Sequence, residues 1–296
     1  MDLFLEQVLN GVGNGVVYAS VALALVLIFR TTSLLNFAQG EMALFSTYVT
    51  WKLATSTDLP VLAAIGISMA IAFVAGAVIE RVLIRPVEEG RSPLNVVIVT
   101  LGMFLAFNSL AQLFFGTDPE VMPSPFPQGS VDVGSIRIGK ETIGLAAVLA
   151  IECVLLYLLL QKTKVGLSIR AVASNPDSSR LVGINAGVML MFGWALAAAL
   201  GALAGSLVAG YEDRGLDASL MQTVLVFALA AAALGGFDSP LGAVVAGLFV
   251  GVANALTIQY VDALNGIELV LPLGLVLVVL LVRPTGLFGR RTVERV

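Results

Sequence analysis

The chain has 296 residues, of which 58% are apolar and only 12% charged, with a mean hydropathy of +0.98. So little charge assigns it to the integral membrane proteins and not to soluble globular domains. No histidine, one cysteine (Cys153) and a net charge of -4 exclude His-pair zinc motifs, Ser-His triads, disulfide frameworks and a basic nucleic-acid surface, so neither cofactor, metal nor nucleic-acid partner is expected.

Charge-free apolar runs predict an all-α polytopic membrane protein. In chain order they are 8–29, 37–51, 60–79, 94–115, 143–160, 186–209, 219–234, 241–261 and 269–282. Most can cross about 30 Å of hydrocarbon at about 1.5 Å per residue. The second, seventh and ninth are short, as re-entrant or broken helices are, so eight or nine spans are expected. No polar segment is long enough to bury a core of its own, and residues 1–296 read as a single transmembrane domain.

Orientation follows from the basic residues. Arg30, Arg81, Arg85, Arg91, Lys162, Lys164, Arg170, Arg180, Arg283, Arg290, Arg291 and Arg295 fall on one side of this arrangement, and Lys52, Arg137, Lys140 and Arg214 on the other. Twelve against four makes the first side cytoplasmic, with the N-terminus outside and the C-terminus inside. The opening MDLFLEQ is acidic and lacks the positive n-region of a cleavable signal peptide.

Two clusters combine helix breakers with side chains that are costly in hydrocarbon. One is LNFAQGE, containing Asn36, Gln39, Gly40 and Glu41; the other is LGGFDSPLG, containing Gly235, Gly236, Ser239 and Gly242. Each lies on the expected cytoplasmic side of an apolar run, the pattern of repeated, interrupted helices around a midplane pathway, and these eight residues are the pathway or gating candidates. Glu41 reads as a hydrated, interfacial first-turn acid pairing with Arg30, in a structural or gating role rather than in substrate contact. Glu152, inside the fifth span, should face another helix or subunit. Asp238 is placed to cap the next helix, with Pro240 at an early position. The pairs Gly11/Gly15, Gly201/Gly205 and Gly247/Gly251 each put two glycines on one helix face, which suits close helix packing in lipid.

The external segment 116–141, with four prolines, predicts turns or a small extended flap that either meets a partner or simply connects. Within it, Gly134, Gly139 and Lys140 have P-loop spacing, but Glu141 stands where Ser or Thr should ligate magnesium, so no nucleotide site is assigned. On the other side, QKTKVGLSIRAVASNPDSSRLVGIN (161–185) is basic and helix-compatible, and Asn175-Pro176-Asp177 is placed to start a second short helix. It reads either as an ordinary positive-inside loop or as a surface offered to a soluble partner.

NFAQGEM after the first span, GLSIRAVASNPDSSRLVGIN, ALGGFDSPLGAVVAGLFVG and the closing RPTGLFG, in this order, resemble the permease subunits of bacterial branched-chain amino acid (leucine/isoleucine/valine) ABC importers nearly end to end. The resemblance implies an inverted-repeat importer permease of the inner membrane that is not itself an enzyme. Its partners would be a second homologous permease, two cytoplasmic ATP-binding subunits, an extracytoplasmic substrate-binding protein, membrane lipid and a small amino-acid substrate. It also implies that 166–183 docks in a groove of the ATPase, with Arg170, Ala173, Asn175, Ser179 and Gly183 as coupling residues. The chain has Ala171-Val172-Ala173 where many other importers carry Glu-Ala-Ala and a later glycine. Urea, amides and other amino acids stay open as cargo. A secondary transporter is the rival class, but Glu41, Glu152 and Asp238 are too scattered for an ion relay, and a membrane enzyme has no catalytic cluster to build on.

Overall fold

The computed structural model describes residues 2–32, 34–88, 93–133, 136–211, 215–261, 267 and 269–289. Gly134 of the P-loop-like spacing and the basic residues Arg91, Arg214, Arg290, Arg291 and Arg295 lie outside the described residues. In chain order the elements are α1 (Asp2–Thr32), α2 (Gln39–Ser56), α3 (Val61–Ile79), α4 (Arg85–Glu88), α5 (Pro93–Phe115), β1 (Ser130–Val133), β2 (Ile136–Gly139), α6 (Lys140–Tyr157), α7 (Lys164–Ser174), α8 (Pro176–Leu181), α9 (Ala186–Ala209), α10 (Leu220–Gly235), α11 (Pro240–Tyr260) and α12 (Val270–Val282). A π-helical turn, Glu80–Ile84, joins α3 to α4, and a second, Leu158–Lys162, prolongs α6.

Each of the nine apolar runs is helical, so the chain is an all-α polytopic membrane protein with one small hairpin. Among the described residues, six helical segments are long and apolar enough to cross a membrane, and α10 and α12 are shorter apolar helices. The three runs read as short are α2, α10 and α12, with 18, 16 and 13 residues. At about 1.5 Å per residue none reaches the roughly 30 Å of the hydrocarbon core.

The chain divides into two compact units, and α1, α6 and α10 each contribute residues to both. The first unit comprises residues 1–26, 126–149 and 223–296. In it α1 and α11 meet glycine to glycine. A Cβ on Gly15 would lie 2.7 Å from Leu248 Cα, one on Gly247 would lie 2.7 Å from Ala19 Cα, and Gly251 backs onto Gly15 itself. With no hydrophobic drive between helices in lipid, this close backbone approach supplies the packing energy. Tyr18 stacks on Phe227 of α10 at 4.6 Å. The expected external flap is the antiparallel hairpin β1–β2, in register from Ser130 opposite Gly139 to Val133 opposite Ile136. Lys140, at its exit, donates its backbone N–H to Gly129 O at 2.9 Å.

The second unit comprises residues 27–125 and 150–222. Here α9 packs on α2 and α3, and α2 also packs on α3 and α5. Small residues allow the approach: a Cβ on Gly76 would lie 2.7 Å from Ala198 Cβ, and Gly205 leaves room for Thr47 of α2. Phe45 and Tyr48 of α2 interleave with Phe107 and Phe115 of α5. Hydroxyls add polar contacts between these helices, with Ser206 Oγ donating to Thr50 Oγ1 at 2.9 Å and Ser68 Oγ to Ser46 O at 2.7 Å.

Candidate functional site

The first cluster folds as the entrance to α2. Asn36 Oδ1 accepts from the Ala38 N–H at 3.0 Å, a side-chain turn that ends the connection from α1. Its Nδ2 donates to Gln39 Oε1 at 3.3 Å, and Gln39 Nε2 donates to Ala197 O at 2.9 Å. Gly201 makes this possible, because a Cβ there would stand 2.7 Å from Gln39 Nε2. Gly40 is buried in the same turn.

Ala197 is the twelfth of the 24 residues of α9. The Asn36–Glu41 turn therefore sits halfway along a membrane-length helix, which corrects the expectation that it lies at the cytoplasmic mouth. The hydrated, Arg30-paired reading of Glu41 is corrected too: its relative exposure is 0%, and Oε2 accepts from Asn108 Nδ2 at 3.0 Å. The same amide donates to Ala218 O at 2.9 Å, and Asn108 Oδ1 accepts from Gln112 Nε2 at 2.6 Å. Asn108 thus ties the first turn of α2 to the residues that open α10. Glu41 Oε2 thus has an amide donor while Oε1 is buried without one, and the first turn of its own helix, where the macrodipole favours negative charge, offsets part of the cost of burying the acid.

Asn108 and Gln112 were missed by a reading that tracked only charged residues inside the spans. Polar side chains four apart share a helix face, so these two amides in an otherwise apolar run were the available signal. Glu152 is buried at 4% within the chain, so it faces the chain's own interior.

The second cluster belongs to the first unit. It is the turn between α10 and α11. Gly235 closes α10 against Gly242, and Gly236 takes φ +100°, a conformation open to glycine at little cost. Ser239, not Asp238, caps α11: its Oγ accepts from the Gly242 N–H at 3.0 Å, with Pro240 in the first turn. The RPTGLFG tail folds back on the turn, as Leu287 N–H donates to Leu234 O at 2.8 Å and Phe288 N–H to Gly235 O at 3.1 Å. Gly286, at φ +80°, presses against Gly236. The tail thereby satisfies carbonyls that the end of α10 leaves open.

The 161–185 segment is two short helices. Thr163 caps α7 through Gly166 N–H, and Asn175 ends α7 and caps α8 by accepting from Ser178 N–H, with Pro176 at the first helical position as expected. Ile169 and Val172 pin α7 inward, at 3% and 2% exposure. Arg170 is half-buried, and its Nη1 donates to Gln161 Oε1 at 2.8 Å. Ser179 is buried, its Oγ donating to Asn175 O at 2.8 Å. Ala173, Asn175 and Gly183 are exposed, Gly183 at φ +84°. The most exposed large apolar residues of the segment are two that sequence reasoning passed over, Leu181 at 88% and Val182 at 76% exposure. Two adjacent apolar residues in a polar segment were the signal.

Beside this segment lies a buried ion pair. In a π-helical turn residues five apart align, and the Arg85 N–H reaches Glu80 O. The side chains follow: Arg85 Nε and Nη2 donate to Glu80 Oε1 and Oε2 at 3.1 and 2.9 Å, and Nη2 also reaches Gly187 O.

Comparison with known proteins matches residues 7–280 to the family described as branched-chain amino acid transport system / permease component. The chain is 29% identical to the high-affinity branched-chain amino acid transport system permease protein BraD of Pseudomonas aeruginosa, over 99% of this chain and 98% of that one. It is 30% identical to the LivH permease protein of the same description from Escherichia coli, again over 99% and 98%. Identity to the probable branched-chain amino acid transport permease protein LivH of Methanocaldococcus jannaschii is 25%, over 97% and 94%. Among solved structures, PsaBC from Streptococcus pneumoniae in complex with Fab aligns with a TM-score of 0.49 and 11% identity, covering 93% of this chain and 91% of that one. The chain belongs to the permease-component family of branched-chain amino acid transport systems.

Proposed function

We propose that the whole chain acts as one translocation domain, the permease subunit of an ATP-driven importer that carries branched-chain amino acids inward across a bacterial inner membrane. The observation that carries this reading is the match across residues 7–280, together with near-complete coverage of relatives named for that transport. A second permease, two ATP-hydrolysing subunits and an extracytoplasmic binding protein complete the machine, and this chain hydrolyses nothing itself. Its N-terminus lies outside and its C-terminus inside, as the basic residues argue.

Within the cycle, Asn36, Gln39, Gly40 and Glu41 serve as a gate element. Their burial supports a part in switching helix positions and not in touching cargo. Gly235, Gly236, Ser239 and Gly242 form a second hinge-like joint. Leu181 and Val182 at the tip of 161–185 seat in the ATPase, and Arg170 and Ser179 act by holding the shape of that tip. Alternating access then follows from ATP-driven closure of the ATPases, which favours one of two permease arrangements.

Reconstitution tests the reading. Proteoliposomes holding this chain, the second permease and the two ATPases, with external binding protein, should concentrate leucine only with ATP inside, and vesicles holding this chain alone should not. Concentrative uptake by the chain alone would overturn it.

A further inference from the structure

We propose that the cleft between α4, α8 and the start of α9 binds the phosphate of an anionic phospholipid from the inner leaflet. The cleft has a volume of about 740 Å³, and Arg81, Arg85, Glu88, Arg180 and the Asn185–Gly187 backbone line it. Arg85 is neutralised by Glu80 and held as a wall by Gly187 O. Among the described residues Arg81 makes no side-chain hydrogen bond or ion pair, and Arg180 contacts only Asp177, at 3.4 Å, whose side chain is 92% exposed. Setting the Arg85–Glu80 pair aside, the lining of the cleft holds two guanidiniums and one carboxylate, Glu88; Asp177 is not part of that lining and solvent screens its weak contact, so the cleft itself keeps one positive charge for one phosphodiester.

A lipid is favoured over a soluble anion by what adjoins the arginines. Ile67, Ile71, Val74, Val78 and Val82 are exposed at 40, 50, 61, 53 and 61% and recur at three- and four-residue spacing along α3 and its π turn. This apolar track ends beside Arg81, so an acyl chain on it delivers its headgroup to the cleft. Basic pockets at the cytoplasmic ends of spans are suited to such headgroups. The cleft also touches Pro176, Arg180 and Gly183 of the proposed coupling segment, so a bound lipid braces that segment. Assignment to the inner leaflet rests on the orientation proposed above.

Native mass spectrometry of the purified chain in detergent, titrated with phosphatidylglycerol, tests the binding. One phosphatidylglycerol should be retained, and Arg81→Ala/Arg180→Ala should weaken it on the order of tenfold. Phosphatidylcholine should bind more weakly, and glycerol phosphate should not displace the lipid. Should the double variant fail to fold, Val78→Ser/Val82→Ser replaces it: loss of the track should weaken the lipid and leave Arg81 and Arg180 in place. Equal binding by both variants, or displacement by glycerol phosphate, would overturn the proposal. Orientation is read separately, in a Cys153→Ser background: Ser178→Cys should be labelled from the cytoplasm and Ser130→Cys from outside. Reversed labelling with lipid binding intact would move the site to the other leaflet without removing it.

Discussion

Removing Arg85 should harm the protein more than removing Glu80, although the two form one ion pair. Glu80 has a side-chain exposure of 0% and Arg85 one of 18%, so the guanidinium reaches the solvent of the adjoining cleft while the carboxylate does not. Arg85→Gln therefore strands a buried charge that has lost its two donors, at a cost of about 3–5 kcal/mol. Glu80→Gln leaves an arginine that keeps Gly187 O and gains water, and loses charge-assisted bonds worth about 1.5–3 kcal/mol. The double variant Glu80→Gln/Arg85→Gln should recover most of the loss of Arg85→Gln, because an amide pair needs far less solvation. Thermal unfolding of the four forms in one detergent, with membrane abundance as a second readout, measures the order. If Arg85→Gln melts no lower than the double variant, the carboxylate is not stranded and the reasoning fails.

Two further comparisons of variants probe the sites. Ser239→Ala should cost about 1 kcal/mol through the lost cap on α11, whereas Ser239→Thr, which keeps an acceptor at that position, should cost much less; equal melting of Ser239→Ala and the native chain would remove the cap from Ser239. Gly201→Leu drives a side chain into the space of Gln39 Nε2, separates α2 from α9 and should reduce assembled protein by more than Gly102→Leu, where a Cβ meets nothing within 4 Å, as immunoblots of membranes would show.

The helices were legible because lipid imposes a simple rule: a spanning backbone must satisfy itself, and the apolar run then marks it. The caps at Asn175 and the glycine faces of α1 and α11 were legible for equally local reasons. Depth was not. The Asn36–Glu41 turn follows the first basic residue by only a few positions, so sequence places it at the surface; Gln39 instead bonds Ala197 O, 158 residues away. Ser239 and Asp238 are both good caps, and only the backbone at that turn chooses between them. The tail's role was hidden for a similar reason, since a carbonyl left open by α10 gives no hint of which distant N–H will fill it.

The docking role of the 161–185 segment is the claim most exposed to test. Leu181→Asp/Val182→Asp changes two outward side chains with little packing to lose within the chain, so its insertion and folding should be unaffected. In proteoliposomes of the complete importer, leucine uptake and ATP hydrolysis should be measured on the same vesicles with and without binding protein. The account predicts that uptake falls on the order of tenfold and that binding protein no longer stimulates hydrolysis, as expected when an apolar anchor of an interface is lost. Uptake and stimulation at wild-type rates would contradict it and leave the segment an ordinary basic loop.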